Sequence, residues 1–216
     1  MKNFLFLVGF IFISFNGFNQ SIYDNVNLKL MLFEKFMPGI VYLKGNKVVA
    51  ADLNYNSDKH QLIFVEDKQY KELTGLETID SIVVDNISFI PIQEKIFATT
   101  NYKGLYILYD YEVAPTTTTT DHSGSHKEEV SKVSNSVTGA NSLAIYKKSN
   151  NVNIFKKYWA KVDKEFVEVR QLKQLAKAYK IDKNIVINYI GQYHLNLDQE
   201  QDVIMLLEHL NKAYTR

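Results

Sequence analysis

The stretch GIVYLKGNKVVAADLNYN, residues 39–56, decides the fold class of this chain. Apolar, β-branched and aromatic residues lie on both sides of a short polar centre, Lys44-Gly45-Asn46-Lys47. Such residues favour extended strands, and a Gly-Asn pair tolerates the left-handed backbone that a tight turn requires. The stretch therefore predicts a β-hairpin.

The same alternation of strand residues and turn residues continues from residue 28 to residue 113. The further candidate strands are LKLML (28–32), QLIFVE (61–66), IDSIVV (79–84), ISFIPI (87–92), IFATTNY (96–102) and LYILYDYEV (105–113). The turn residues between them include Asp67-Lys68, Asp85-Asn86 and Lys103-Gly104. Pro91 has no backbone N–H to donate, so it indicates the edge of a sheet or the end of a strand. About eight short strands with short connections predict an antiparallel meander, a sandwich or a small barrel.

The strand LYILYDYEV can be assigned by face, because successive side chains of a strand point to opposite sides. We expect one face to lie in the core and to carry Leu105, Ile107, Tyr109, Tyr111 and Val113. The other face, mostly exposed to solvent, would carry Tyr106, Leu108, Asp110 and Glu112.

After residue 142 the strand pattern returns and then gives way to helical spacing. The segments LAIYKK, VNIFKKYWAKV and EFVEV predict two or three more strands within residues 143–169. Helical spacing follows in residues 170–216, at Leu172, Leu175, Ala176 and Tyr179, then at Ile185, Val186, Ile187 and Ile190 up to Gly191, and finally at Val203, Leu206, Leu207 and Leu210. For the last helix we expect Asn196 as the cap, with Asp198 and Glu200 in the first turn. The fold class is thus α+β, with a mainly antiparallel sheet in residues 21–113 and 143–169 and a helical tail packed on it.

Residues 114–142 interrupt the strands and begin with PTTTTTDHSGSHKEE (115–129). As a metal site this stretch would offer Asp121, His122, His126 and Glu128. The segment has no helical apolar stripe to hold these side chains together, and a metal would have to order them at a cost in free energy. Its Thr- and Ser-rich composition is typical of a disordered loop. We therefore predict no metal site here.

The N-terminal residues 1–20 have the pattern of a secretory signal peptide: Lys2, a short apolar run and a polar end. Removing Lys2 with that segment leaves equal numbers of basic and acidic residues. We therefore expect an exported chain with no attraction to nucleic acid and no transmembrane segment. The chain has no cysteine, which excludes disulfides, thiolate metal sites and the lipid-bearing cysteine of a lipoprotein.

The strings GIVYLKGNKVVAADLNYN and ETIDSIVVDNISFIPI (77–92), with the closing segment from Val162 to Asn211, resemble a group of exported proteins of the Bacteroidetes type. The similarity covers most of the chain outside residues 1–20 and the Thr-rich stretch. Its shared motifs consist of turns, core positions and helix caps. The resemblance implies a β-rich protein of the cell envelope, periplasmic, outer-membrane associated or secreted, and it assigns no activity and no catalytic residue.

No common catalytic motif occurs in the sequence: there is no G-x-S-x-G elbow, no H-E-x-x-H pair, no phosphate loop and no dinucleotide fingerprint. His60 follows Asp58 in a turn that we expect to be solvated, His194 lies at a helix exit, and His209 follows Glu208 on an expected exposed surface. The sequence thus predicts no catalytic, cofactor-binding or metal-binding residue and no cofactor.

Four lysines surround an aromatic pair: Lys156, Lys157, Lys161 and Lys164 lie around Tyr158 and Trp159. On a strand, Phe155, Lys157, Trp159 and Lys161 would share one face, which is a plausible contact for an acidic or glycan partner. Lysine stems also commonly just cover aromatic rings, and we favour that interpretation.

Three functional hypotheses follow from these patterns. The favoured one is a non-enzymatic exported envelope protein that works as a binding or accessory component of a larger periplasmic or outer-membrane assembly. The alternatives are an enzyme acting on glycans or peptides through scattered carboxylates, and a carrier of a small molecule or lipid. A packed core with a flat apolar surface patch would favour the first, a deep cleft with carboxylates of shifted pKa the second, and a large apolar cavity the third.

Overall fold

The computed structural model describes residues 28–67, 69–113, 145–149 and 151–214, and these form one sheet followed by three α-helices. The strands are β1 (Met37–Leu43), β2 (Lys47–Asn56), β3 (Gln61–Glu66), β4 (Gln69–Glu72), β5 (Ile79–Val84), β6 (Ile87–Ile92), β7 (Lys95–Thr99), β8 (Leu105–Val113), β9 (Ile145–Ser149), β10 (Val152–Val162) and β11 (Glu165–Glu168). The helices are α1 (Leu172–Ala178), α2 (Lys183–Gln192) and α3 (Glu200–Tyr214), and short 3-10 turns lie at Leu28–Leu30 and Leu76–Thr78.

The sheet has the strand order β11-β10-β8-β7-β6-β5-β1-β2-β3-β4, and β9 pairs with β10 beside β11. All the paired strands are antiparallel. The expected α+β fold, with a mainly antiparallel sheet and a C-terminal helical cap, is confirmed.

Tight turns between consecutive strands use the left-handed residues that the sequence placed there. Gly45 and Asn46 join β1 to β2 with φ of 81° and 62°, and Asp85 and Asn86 join β5 to β6 with φ of 46° and 65°. Glycine has no Cβ to clash in this region, and short polar side chains tolerate it better than most. These residues therefore set the short connections and, with them, the antiparallel pairing.

The sheet curls until the β2–β3 turn meets β7, although three strands separate β2 from β7 in the strand order. The backbone N–H of Ile96 donates to the carbonyl of His60 at 2.9 Å, and the Tyr55 hydroxyl donates to the carbonyl of Ile96 at 3.0 Å. Tyr55 is fully buried and stacks on Phe89 at 5.6 Å between ring centroids. The concave side of the curled sheet thus encloses the main core.

The three helices pack against this core through apolar side chains at helical spacing. The buried helical residues are Leu175 and Ala176 of α1, Val186 of α2, and Val203, Leu206, Leu207 and Leu210 of α3. They belong to the same core cluster as Ile107 and Tyr158 of the sheet. Arg170 also pairs with the buried carboxylate of Asp198, which ties the end of β11 to the segment before α3.

Two local predictions at the start of the sheet were wrong. The segment LKLML contains a 3-10 turn, Leu28–Leu30, followed by a single bridge from Met31 to Asn56, instead of a strand. The second error concerns β4, which the sequence did not predict, because its residues QYKE lack the apolar alternation that identifies strands. Its pairing with β3, set by the turn that begins at Asp67, forms this strand despite a weak local preference.

The expected start of the last helix was also wrong. Helix α3 begins at Glu200, and its first turn holds Glu200 and Asp202. Asn196 accepts a hydrogen bond from the N–H of Asp198, so it closes a turn that precedes the helix. Asp202 in turn accepts a hydrogen bond from the N–H of Asn196 at 2.8 Å. The two side chains therefore fix the chain that enters the helix.

Strand β8 follows its expected faces over only part of its length. Leu105, Ile107 and Tyr109 lie in the main core as predicted, whereas Val113 is 56% exposed. Leu108, expected to be solvated, is 2% exposed on the opposite face. The convex side of the sheet therefore has buried apolar residues of its own near β8.

Candidate functional site

The β1–β2 hairpin exposes apolar side chains on the convex side of the sheet. Ile40 pairs with Ala50 and Tyr42 pairs with Val48, so these four side chains form one patch, which we call the hairpin surface. Tyr42 is 39% and Val48 is 58% exposed. Isolated exposed apolar residues are common, but a contiguous group on a rigid sheet is typical of a contact surface.

The hairpin surface is held on a well-packed base. On the concave face of the same two strands, Val41 and Leu53 are buried in the core. Gly39 sits where a Cβ would lie 2.7 Å from the Leu53 side chain, so the strands pack closely at the base of the hairpin. Towards the turn, Val49 is also exposed, next to Lys47. The hairpin thus presents apolar groups on a rigid support with positive charge near its tip.

A second apolar group, the aromatic cluster, lies on the convex side at β7, β8, β10 and β11. Phe166 is its centre: Trp159 stacks on it at 5.2 Å between ring centroids, and Phe97 and Tyr106 meet it edge-on at 4.9 and 5.5 Å. The indole N–H of Trp159 is buried and has no hydrogen-bond partner among the described residues. These rings mainly contact one another, so the cluster explains why this part of the convex face is buried.

The lysine and aromatic residues that the sequence placed on one face of β10 lie near this cluster. Phe155 is buried, Lys157 and Trp159 are half-buried, and Lys161 is exposed. The ammonium of Lys157 lies 5.8 Å from the centroid of the buried Phe155 ring, within range of a cation–π contact. This lysine is engaged within the protein.

Lys157 belongs to a polar cluster centred on Asp110. Its ammonium lies 2.6 Å from one carboxylate oxygen of Asp110, and the N–H of Tyr111 donates to the other oxygen at 2.8 Å. His60 Nε2 lies 3.6 Å from that second oxygen, too far for a hydrogen bond but close enough for electrostatic attraction when the ring is protonated. The Asp110–Lys157 pair crosslinks β8 to β10, and His60 brings the β2–β3 turn to it.

Opposing effects determine the pKa of Asp110. Desolvation by burial would raise this pKa, but the interaction with His60, the hydrogen bond and charge of Lys157 and the N–H of Tyr111 outweigh it and hold the pKa well below its ordinary value. The carboxylate therefore stays ionised at neutral pH. It suits an anchoring role better than that of a general acid, which needs a pKa near the working pH.

The expected solvated turn at His60 was wrong. His60 has a left-handed backbone with φ of 55° and a mostly buried side chain that faces Asp110. Asp58 instead accepts a hydrogen bond from the Tyr111 hydroxyl at 3.1 Å. Desolvation and the nearby Asp58 carboxylate raise the pKa of Tyr111. Asp58 and His60 thus face different residues of β8, Tyr111 and Asp110 respectively.

The two remaining histidines of the described residues lie on the helical cap. His194 is exposed just after α2, as expected. His209 was expected on an exposed surface but is half-buried, because its ring stacks on Tyr189 at 3.8 Å between centroids. The candidate metal residues Asp121, His122, His126 and Glu128 lie outside the described residues. Within the part of the chain that the structure describes, no group of three or more His, Asp or Glu side chains could hold a metal ion.

Cavities indent the surface of the described residues, and two of them lie beside turns. One, of about 520 Å³, lies by the 3-10 turn Leu76–Thr78 and carries the charged residues Lys44, Glu72, Glu77 and Glu94. The other, of about 1090 Å³, lies between the β10–β11 turn and α1, and most of its lining is charged, with Asp163, Lys164, Glu165, Lys177 and Lys180. Neither includes Asp110, His60 or the aromatic cluster.

Comparison with known proteins gives no further assignment: no protein-family model, curated protein or solved structure matches the chain. The described helices are all too short or too polar to cross a membrane. Among the described residues, we take the exposed hairpin surface as the candidate functional site. Sequence reasoning located the hairpin but missed its exposure, since short runs of apolar residues such as those at 40–43 and 48–51 are equally typical of a buried strand.

Proposed function

We propose that this protein is exported to the cell envelope and works there without catalysis, as a binding or accessory component of a larger periplasmic or outer-membrane assembly. The observation that carries the proposal is the hairpin surface, where Ile40, Tyr42, Val48 and Ala50 are exposed together on a rigid, well-packed sheet. Export rests on the signal-peptide pattern of residues 1–20 and on the resemblance to envelope proteins.

A partner gains free energy by covering this surface. Removing apolar area from water contributes about 25 cal/mol per Å², and a well-buried tyrosine or aliphatic side chain contributes about 1–3 kcal/mol. The strands are already ordered by pairing of β1 with both β2 and β5, so little conformational entropy is lost on their side of the interface. A rigid apolar patch of this kind favours a specific protein contact.

The other two functional classes have less support in the geometry. Five of the eight residues that line the larger cavity are charged, whereas a carrier site is lined predominantly by hydrophobic and aromatic side chains. The carboxylate with the clearest downward pKa shift, Asp110, is held by an ion pair and does not line either cavity. Both observations favour surface recognition over catalysis or carriage.

The test is partner capture by exported, tagged protein from envelope fractions. The double variant Tyr42→Lys/Val48→Lys should bind the partner at least about tenfold more weakly and capture correspondingly less of it. The reason is that two desolvated apolar contacts contribute more than about 1.4 kcal/mol to binding. The matched control is Ile185→Lys/Ile187→Lys, which alters two comparably exposed apolar residues on α2. It should capture the partner like the unmodified protein. Equal capture by the hairpin variant, or no stoichiometric partner with the unmodified protein, would contradict the proposal.

A further inference from the structure

Strand β2 has an unpaired edge over its first six residues. It pairs with β1 from Lys47 to Leu53, but it pairs with β3 only from Leu53 to Asn56. Among the described residues no strand pairs with Lys47–Asp52 on the side away from β1. In an antiparallel strand alternate residues direct their N–H and C=O to opposite sides, so half of these residues present free hydrogen-bonding groups to an incoming chain.

This edge is protected from pairing only by the charges at its two ends, Lys47 and Asp52. The outermost strands β4 and β11 have only four residues each, with the sequences QYKE and EFVE, so they are short and carry charges. The β2 edge, KVVAAD, is longer and holds four consecutive apolar residues, none of them proline. Every residue from Lys47 to Ala50 is exposed. Proteins normally blunt such an edge, because it offers a template for strand addition.

We propose that Lys47–Asp52 is a strand-addition site, which binds an extended segment of a partner protein as an additional strand beside β2. The inference rests on the proposed binding function and specifies how that partner docks. An extended chain is the occupant that satisfies a row of backbone donors and acceptors, and alternate side chains of the added strand extend the sheet on both faces. On the convex face they would continue the hairpin surface past Val48 and Ala50.

The charges at the two ends of the edge specify the composition of the added strand. Lys47 lies at one end and Asp52 at the other, with apolar residues between them. Directly opposed opposite charges stabilise a strand pair, whereas like charges destabilise it. The partner segment should therefore carry an acidic residue opposite Lys47, a basic residue opposite Asp52, and apolar or β-branched residues between.

A second copy of this chain fits the edge less well. Two copies of β2 would pair antiparallel about a two-fold axis perpendicular to the sheet, and this axis keeps each face of one copy on the same side as the identical face of the other. Lys47 and Asp52 point to opposite faces, because they are five positions apart along the strand and successive side chains alternate between the faces. They could not oppose each other across such an interface. The charge pattern is thus met by a different segment and not by the chain itself.

The experiment measures backbone amide exchange of Lys47–Asp52 in the full exported chain. The probes are two acetylated, amidated peptides, KVTVTE and EVTVTK, which place the complementary charges opposite Lys47 and Asp52 in the antiparallel and the parallel orientation, respectively. The controls are the same peptides with every peptide nitrogen methylated. These keep the side chains but cannot donate backbone hydrogen bonds.

In the free protein, alternate amides of this segment should exchange about tenfold or more faster than those bonded to β1. One of the two peptides should slow the fast set by about tenfold, and the methylated controls should not. Uniform protection in the free protein, no protection by either peptide, or protection that follows dimer formation in light scattering would each overturn the inference.

The outcomes separate this inference from the proposed function. Loss of partner capture in Tyr42→Lys/Val48→Lys, without peptide protection at the β2 edge, would retain the binding function and reject strand addition. Peptide protection at the edge without any captured partner would retain the strand-addition site and reject the proposed envelope assembly.

Discussion

Replacing Asp110 with asparagine should destabilise the fold and should do so in a pH-dependent way. The substitution keeps the size of the side chain and removes its charge, so Lys157 loses its partner at 2.6 Å and His60 loses its nearby carboxylate. The Asp110 and Lys157 side chains are only 19% and 21% exposed, so solvent screens their pairing weakly. Breaking a buried pair costs about 3–5 kcal/mol, and the remaining exposure reduces the expected loss to about 2 kcal/mol.

The pH dependence has a definite sign. Because the pKa of Asp110 in the folded state is well below its ordinary value of about 3.9, the ionised carboxylate stabilises the fold fully above that ordinary value. This stabilisation is lost as the pH falls from about 5 through the folded-state pKa. The stability difference between the unmodified protein and Asp110→Asn should therefore be full at pH 7 and should shrink below about pH 4.

Urea unfolding at pH 7, 5 and 3 measures this difference. Far-UV circular dichroism reports the sheet, and fluorescence of Trp159, the single tryptophan, reports the neighbouring aromatic cluster. The control is Asp80→Asn, since Asp80 is exposed, and it should change stability by less than about 0.5 kcal/mol. A loss below about 0.5 kcal/mol for Asp110→Asn, or a loss that is the same at all three pH values, would refute the role assigned to this ion pair.

Two further predictions concern packing and a buried hydrogen bond. Gly39→Ala should cost about 1–3 kcal/mol in urea unfolding, because its Cβ would lie 2.7 Å from the buried side chain of Leu53. The control, Gly191→Ala, lies in a helix with open space around it and should stabilise the fold by about 0.5–1 kcal/mol. If the Gly39→Ala variant were as stable as the unmodified protein, the close packing at Gly39 would be contradicted. Tyr55→Phe should cost about 1–2 kcal/mol, because the fully buried hydroxyl donates to the carbonyl of Ile96; an unchanged unfolding midpoint would exclude that bond as a stabilising contact.

The parts of the fold that the sequence predicted well are those controlled by local chemistry. The Asp85-Asn86 turn and the apolar stripe of α3 each follow from side chains a few residues apart, and both are present in the structure. Strand β4 was missed because its pairing, and not its own sequence, makes it extended. The 3-10 turn Leu28–Leu30 was mistaken for a strand because the leucines at 28, 30 and 32 follow the two-residue period that is typical of a strand.

The polar cluster around Asp110 and the free edge of β2 depend on contacts distant in sequence. His60 and Asp110 are fifty residues apart in sequence, and the curl of the sheet brings them together. The unpaired edge of β2 likewise depends on where β3 stops pairing, which no local pattern in residues 47–52 encodes. Sequence reasoning could thus predict the hairpin, but its exposure and its free edge could be recognised only once the strand order was known.

The most direct test of the binding account is site-specific photo-crosslinking of the exported protein in intact cells. A benzophenone side chain is introduced in place of Val48 in one variant and in place of the exposed Asp80 in another. We expect one discrete crosslinked partner from the Val48 variant and no such adduct from the Asp80 variant. Absence of a discrete adduct from the Val48 variant, or equal yield of the same adduct from both variants, would contradict the claim that the β1–β2 hairpin is the docking surface.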